Sequence, residues 1–366
     1  MELAFNRDDM TNVLQRIVGA AERRLTMPIL GNVRLRAAAS GIQLDTTDLE
    51  LAWRATTPGT VPAGLDCTVS VRKLLDVVRA APPEAMVQAR VEGERLTVGF
   101  GASRFSLATL PGADFPELES APIDLWLTVP QRLLRQLVEA TLFSMAQQDV
   151  RYYLQGLLLV ARGSLLRAVA TDGHRLALSD ADLDAGVSSE QECIVPRKTV
   201  HELRRNLLDD ETPVQIGFGP GQVVFDFGAA RLTSKVIDGR FPDYERVIPK
   251  EHPAHLVVQR EDLRLALNRV AIVASDKYRG VRLMVSEEGC RVVTHNAERE
   301  EAEEGFPGRY LGEPIEIGFN LTYLVDVLGA IGSDQVRIEL RDGNSSALIL
   351  ADPPDRARYV VMPIRL

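Results

Sequence analysis

Nowhere in the 366 residues does an apolar run approach the ~20 that a bilayer-spanning helix requires, which excludes a helical membrane protein. Cysteine is scarce. Cys67, Cys193 and Cys290 are an odd, dispersed set, which fits reduced thiols and neither a disulfide framework nor a zinc site. Lysine is nearly missing: of 42 basic residues only Lys73, Lys198, Lys235, Lys250 and Lys277 are lysines, so the positive charge is almost all arginine. There is no low-complexity tract, and 45% hydrophobic residues exclude disorder. The opening MELAFNRDDM has acids and an arginine where a signal peptide needs an apolar core, so a cytoplasmic address is expected. Taken as one number, a net charge of −9 argues against nucleic acid, whose usual footprint is a basic domain.

What is present is repetition. The length suits two or three domains of roughly 100–150 residues, and the sequence contains itself three times. Leu30-Gly31-Asn32-Val33-Arg34-Leu35 returns as Leu154-Gln155-Gly156-Leu157-Leu158-Leu159 and as Tyr278-Arg279-Gly280-Val281-Arg282-Leu283. Asp48, Asp172 and Asn296 follow at spacings of 124 and 124. Ser70-Val71-Arg72-Lys73 answers to Val195-Pro196-Arg197-Lys198, and more loosely to Gly318-Phe319-Asn320-Leu321. Phe115-Pro116 answers to Phe241-Pro242 and to Met362-Pro363. The repeats are expected at 1–120, 124–248 and 249–366, with polar, proline-containing linkers at Glu117–Ile123 and Ile248–Ala254.

Each repeat opens with an amphipathic helix, marked by Met10, Val13, Leu14, Ile17 and Ala21, then by Leu134, Leu137, Val138, Thr141 and Met145, then by Leu263, Ala266, Leu267 and Val270. A second helix follows mid-repeat. Ser70 is expected to cap the first, over Val71, Leu74, Leu75 and Val78. Val200, Leu203 and Leu207 mark its second copy, and Leu321, Leu324, Val325 and Leu328 its third. Period-two stretches such as Gln222–Phe227, Arg291–Thr294 and Val336–Leu340 read as strands. The fold class is α+β, with two helices packed on antiparallel sheet in each repeat.

Opposite the apolar stripes the helices show basic residues: Arg16, Arg23 and Arg24; Arg132 and Arg135; Arg264 and Arg269; Arg72, Lys73 and Arg79; Arg197, Lys198, Arg204 and Arg205. Only the third mid-repeat helix lacks them, with Asp326 instead. A basic stripe shared by helices would track phosphates without reading bases. Acid collects in Glu298, Glu300, Glu301, Glu303 and Glu304, either a solvated edge strand or a head-to-tail contact with Arg95 and Arg104 of another chain.

Met27–Asn32, Arg104–Leu107, Asp149–Leu154, Thr171–Leu176, Asp238–Tyr244 and Tyr359–Leu366 together resemble the bacterial sliding-clamp family, the beta subunits of DNA polymerase III, over the full chain. The resemblance implies three similar domains per chain and two chains closed head to tail into a six-domain ring around duplex DNA. It implies a processivity factor that slides without sequence specificity, with no catalytic residues, cofactor or metal of its own. Its DNA-facing positions correspond here to Arg24, Arg72, Lys73, Gln148, Tyr152, Tyr153, Arg197 and Lys198. Polymerases, clamp loader and repair proteins would dock short linear motifs between the second and third domains. That groove would be walled by Leu154, Thr171, Gly173, His174, Arg175, Leu176, Pro242, Arg246, Val247, Tyr278, Asn320, Tyr323 and Ser346, with Val360, Val361, Met362, Pro363, Ile364, Arg365 and Leu366. Phe105, Leu107, Ile272 and Val273 would form the chain-to-chain contact, with the charged residues above around them. The sequence departs from the family pattern at Tyr278, where relatives can carry Phe, at Ile364 (Met) and at Ala102 (Arg).

Two other readings compete: a peptide-binding scaffold that never touches DNA, and a hydrolase using His174. His174 beside Asp172 has the composition of a catalytic pair, yet no nucleophile elbow, P-loop or metal-ligand spacing accompanies it. His252 and His255 stand beside Pro253 in the expected linker, where exposure is anticipated. Under the clamp reading the negative total belongs to the outer surface and contact edges, and the arginine-rich helices to the lining.

Overall fold

The structure, a computed structural model, describes residues 1–22, 27–118, 121–274 and 279–365. Among these are six α-helices: α1 (Arg7–Ile17), α2 (Val71–Arg79), α3 (Gln131–Thr141), α4 (Arg197–Asn206), α5 (Arg260–Val270) and α6 (Leu321–Ala330). Each repeat thus supplies an opening helix and a mid-repeat helix. The apolar stripes are buried as the spacing predicts, with two exceptions. Val13 is half-buried, and in α6 Val327 is buried where Val325 is only half so.

Helix starts follow local chemistry. The Asn6 side chain accepts from the backbone N–H of Asp8 (2.8 Å) and Asp9 (3.3 Å), and both acids sit in the first turn, where the helix dipole favours them. Asn320 caps α6 through the Thr322 N–H at 2.9 Å. Ser70 holds the N-cap position of α2, but its hydroxyl makes no capping bond, contrary to the sequence expectation. The expected stripe of the opening helix also runs past its end: α1 stops at Ile17, and Ala21 is buried beyond it.

The chain forms two compact units, Met1–Arg132 with His201–Val236, and Leu133–Val200 with Ile237–Leu366. All strand pairs in both are antiparallel. The first unit has one 12-stranded sheet. It runs from the first repeat into the second where strand Leu51–Thr57 pairs with strand Ala230–Lys235, Ala55 opposite Ala230 and Leu51 opposite Ser234. The second unit has a seven-stranded and a four-stranded sheet. In the former, strand Arg175–Pro196 of the second repeat pairs with Ala357–Val361 of the third, Arg175 opposite Val361 and Ser179 opposite Ala357. Backbone ladders therefore cross from repeat to repeat, which explains why compact units and sequence repeats divide the chain differently.

Strand register also aligns the repeats. Asn32 lies opposite Ser70, Gly156 opposite Pro196 and Gly280 opposite Asn320. With Gly31, Gly156 and Gly280 in common, Arg72, Arg197 and Leu321 become equivalent, one residue off the loose match read from sequence for the third repeat. At the turn after strand Asn32–Ala38, Gly41 takes φ +134°, and an added Cβ would fall 2.3 Å from the Thr57 carbonyl oxygen, so no side chain fits there.

The two histidines beside Pro253 differ from expectation. His252 is buried, with Nε2 3.0 Å from the Ser346 carbonyl oxygen. His255 lies in strand Ala254–Gln259 and is half-buried. Tertiary packing overrides the local proline signal here.

Candidate functional site

In chain order the six helices carry net charges of 0, +2, +1, +3, +1 and −1, together +6, in a chain of −9. Positive charge is thus concentrated on α2 and α4. The basic side chains are held in different ways. Arg72 Nη2 donates to the Ala21 carbonyl and Arg197 Nη1 to the Met145 carbonyl, each at 3.1 Å. Burial lowers the Arg197 pKa, with the nearby Arg175 adding to the effect. Lys73 is exposed. The opening helices instead neutralise much of their charge: Arg132 pairs with Glu211, Arg135 with Glu139, Arg264 with Glu261 and Arg269 with Glu304. Arg16, read from sequence as an outer-face cation, stacks 5.5 Å from the Phe227 ring centroid and is partly buried. Arg23 and Arg24 lie outside the described residues.

The segment after α3 presents Gln148, Val150 and Tyr152 outward. Val150 is 96% exposed and Tyr152 57%. Gln148 takes φ +119°, a strained conformation for a residue with a Cβ. Tyr153 is half-buried, with its ring centroid 5.9 Å from that of Tyr152. Asp149 ties the segment down: its carboxylate accepts from Arg151 N–H at 2.8 Å and from the Arg151 guanidinium at 2.8 and 3.0 Å, which holds its pKa at about 2. A folded pKa below the ordinary 3.8 stabilises above that value and loses the contribution as pH falls. Protection of the Arg151 amide, corrected for intrinsic exchange, should be level from pH 7 to about 4 and fall between about 4 and 2. In Asp149→Asn it should be low throughout, and hydrogen exchange followed by NMR checks both.

The groove residues fall into two neighbourhoods within the second unit. Leu176 and Val360 lie opposite each other across the strand pair. They share an apolar cluster with Leu158, Val160, Phe241 and Leu348, edged by half-buried Tyr153, Ile237, Tyr244, Val247, Ile248 and Leu350. Leu154 is buried, while Pro242 and Arg246 are exposed, Arg246 pairing with Asp243 at 2.7 Å. The sequence reading missed Ile237, Tyr244 and Ile248, although Ile237 and Tyr244 adjoin or belong to its Asp238–Tyr244 motif.

The second neighbourhood centres on Arg175. Its guanidinium donates to Asp326 (2.6 Å), Asp172 (3.1 Å) and the Phe143 carbonyl (2.7 Å), and lies 4.4 Å from the Tyr323 ring centroid and 5.3 Å from that of Phe143. Read from sequence as groove wall, Arg175 is also the clasp that fixes α6 against the turn before it. Breaking a largely buried ion pair leaves carboxylates without a cation. Arg175→Ala should therefore lower stability by about 3 kcal/mol, seen as a lower urea midpoint. Arg175→Lys should recover less than half, because an ammonium cannot reach both acids and stack on the rings. Asn320 and Tyr323 belong to this neighbourhood, and Ser346 offers its carbonyl to His252. The tail is tied down, Met362 N–H donating to the His174 carbonyl at 2.9 Å and Ile364 N–H to that of Gly318 at 2.8 Å. Val361 is buried, Pro363 half-buried and Arg365 exposed. Tyr278 and Leu366 lie outside the described residues.

The apparent Asp172–His174 pair is a turn. Asp172 Oδ1 accepts from the backbone N–H of His174 (2.9 Å) and Arg175 (3.0 Å), and Oδ2 from the Arg175 guanidinium. Asp48 does the same for Glu50 and Leu51, and Asn296 for Glu300. Thr171 is buried, accepting from Gly173 N–H at 3.1 Å, and His174 is exposed. Gly173 takes φ +88°, where an added Cβ would meet the Arg151 guanidinium at 2.9 Å.

Two of the free sheet edges among the described residues carry the residues expected at the chain-to-chain contact. Ser103–Ala108, with Arg104, Phe105 and Leu107, pairs only with Arg95–Phe100. Glu301–Phe306, with Glu303 and Glu304, pairs only with Gly289–His295. Glu298 and Glu300 are exposed before it. Arg291 pairs with Glu303 at 3.3 Å, as a solvated edge strand allows. Ile272 is 84% exposed beyond α5, and Val273 half-buried.

Three tandem α+β repeats are joined through their sheets, and positive charge is concentrated on α2 and α4 of an acidic chain. Models of the DNA polymerase III beta subunit match in series: its N-terminal domain at residues 1–119, central domain at 128–243 and C-terminal domain at 245–365. The beta sliding clamps of Pseudomonas aeruginosa and Escherichia coli K12 are 44% and 43% identical, each over the whole of both chains. Crystal structures of the Pseudomonas aeruginosa clamp bound to griselimycin and of the Caulobacter crescentus clamp superpose with TM-scores of 0.96 and 0.93 at 43% and 36% identity, again over the whole of both chains. The chain belongs to the DNA polymerase III beta-subunit family, the bacterial sliding clamps.

Proposed function

We propose that two copies of the chain close head to tail around duplex DNA and that the ring tethers polymerases, clamp loader and repair proteins through short linear motifs. The observation that supports the closure best is a repeated sheet joint. Ser103-Arg104-Phe105, Ala230-Arg231-Leu232 and Ala357-Arg358-Tyr359 recur at a spacing of 127, and each follows a hairpin. The second and third of these strands pair with the strands that follow the Asp48 and Asp172 turns. The first has a free edge, and so does the strand that follows the Asn296 turn. Continuing the register sets Phe105 opposite the partner's Ala302 and Arg104 opposite the partner's Glu303. Apolar meets apolar and cation meets anion.

Such a contact is heterologous, and two copies closing on themselves leave neither of these two edges free. The DNA face would include Arg24, Arg72, Lys73, Gln148, Tyr152, Tyr153, Arg197 and Lys198. With topology providing retention, non-specific phosphate contacts suffice, and sliding is unhindered. The groove beside Leu176, Val247 and Val360, with Tyr323 and the tail to Leu366, suits an extended peptide with aliphatic or aromatic anchors. The chain acts without chemistry of its own, in the cytoplasm, through domains at 1–120, 124–248 and 249–366. A mass of about twice 40.3 kDa by sedimentation equilibrium is expected; a monomer at micromolar concentration would contradict the closure.

A further inference from the structure

The joint between the first two repeats has the same frame as the joint that carries the groove. Ala52 lies opposite Thr233, and Thr233 opposite Val224. Their counterparts are Leu176, Val360 and Leu348, paired in the same order. Phe115 flanks this floor as Phe241 flanks the other. The two floors differ in the space they leave. Ala52 and Val224 are shorter than Leu176 and Leu348, and Thr233 adds a hydroxyl where Val360 has a methyl. From Val224 the row continues to Gly217 and Trp126. The indole lies across Gly217, where an added Cβ would fall 2.9 Å from the ring, and it is 42% exposed. In the second joint the row runs instead through Glu339 to His255. Among the described residues the first joint holds a cavity of about 140 Å³ walled by Trp126, Phe115 and Ile123, room for one aromatic ring or branched aliphatic side chain.

The mouth of that cavity is cationic. Arg54 and Arg231 lie directly opposite each other across the joint, an arrangement that repels. Each is anchored from below, Arg54 Nε donating to Asp45 at 2.8 Å and Arg231 Nε to Asp226 at 2.9 Å. Those carboxylates are nearly covered, at 10% and 14% exposure, whereas both arginine side chains are 54% exposed. Glu117, 3.9 Å from Arg54, is the one exposed acid among the described lining residues.

We propose that this first joint is a second peptide-docking site, taking a short extended segment of a partner protein with an aromatic or large aliphatic anchor beside an aspartate or glutamate. The kind of ligand rests on the peptide-groove reading of the second joint, while the site stands on its own residues. The anchor fills the cavity against the indole. The carboxylate accepts from both Arg54 and Arg231 and relieves their repulsion. In the second joint Leu178 stands where Arg54 does, opposite Arg358, so the two sites select different sequences.

The test is a selection of short random linear peptides displayed on phage against the full-length dimer, followed by anisotropy with fluorescein-labelled synthetic copies. One enriched group should combine the anchor with an adjacent acid. Its affinity should fall at least about tenfold in Arg54→Gln, Arg231→Gln and Trp126→Ala, the worth of a charge-assisted hydrogen bond or more, and should not change when Met362–Leu366 is deleted. Far-UV circular dichroism checks that these variants at exposed side chains keep the fold. Trp53, the only other tryptophan, is fully buried, so unlabelled peptide should also shift the emission of Trp126. If every enriched peptide is lost with the tail and none with Arg231→Gln, the proposal is overturned and the second-joint groove stands. If the first group appears and no enriched peptide needs the tail, the second-joint reading fails and this one stands.

Discussion

Ile272→Glu should convert the protein from dimer to a 40.3 kDa monomer. Ile272 is 84% exposed just beyond α5, and a β-branched side chain so placed gains stability only when a partner covers it. In the proposed closure it meets Phe105 and Leu107 of the neighbouring chain, and the symmetry of two copies places it in both contacts. Desolvating an unpaired carboxylate costs several kcal/mol. Two such sites should raise the dimer dissociation constant by at least about 10⁴-fold. The fold should be untouched, because the side chain makes little contact within its own chain. Sedimentation velocity together with far-UV circular dichroism checks both statements. A dimer that persists with wild-type affinity would remove Ile272 from the contact.

Removing Met362–Leu366 should weaken binding of a polymerase-tail peptide by at least about 100-fold, roughly 2.7 kcal/mol. Two backbone bonds, from Met362 to the His174 carbonyl and from Ile364 to that of Gly318, hold the tail across the turn of the second repeat and a strand of the third. The truncation spares Val360 and Val361, which complete the strand pair with Arg175 and Leu176, so the apolar floor survives. The wall above it is removed. Fluorescence anisotropy with a labelled peptide reads the change, and sedimentation should show an unaltered dimer. Unchanged peptide affinity would place the docking site elsewhere.

The repeat architecture was legible in the sequence because it rests on residues whose backbone role is the same in each copy. Asp48, Asp172 and Asn296 each accept backbone N–H groups in a turn, and that duty tolerates little but Asp or Asn. The helix stripes were legible because burial selects apolar residues at helical spacing. Sheet continuity was not, since Leu51 meeting Ser234, or Arg175 meeting Val361, is a pairing between distant segments with no local signal. The short motif led by Ser103-Arg104, Ala230-Arg231 and Ala357-Arg358 was there to be found, but one shared arginine in an arginine-rich chain carries little information until pairing gives it a place. His174 beside Asp172 invited a catalytic reading, which the turn hydrogen bonds replace with a structural one. Arg175 shows the reverse: family resemblance placed it in the groove, and only geometry revealed that it clasps Asp172, Asp326 and Phe143. The division among cations was equally invisible, because composition cannot distinguish an arginine held by a carbonyl from one neutralised by a glutamate.

Retention on DNA of different topology tests the central claim most directly. Once loaded on a nicked circular plasmid by a clamp loader and ATP, the protein should remain bound through gel filtration at high salt and leave when the plasmid is cut once to give free ends. Equal retention on circular and linearised plasmid, or loss from both at the same rate, would contradict encirclement.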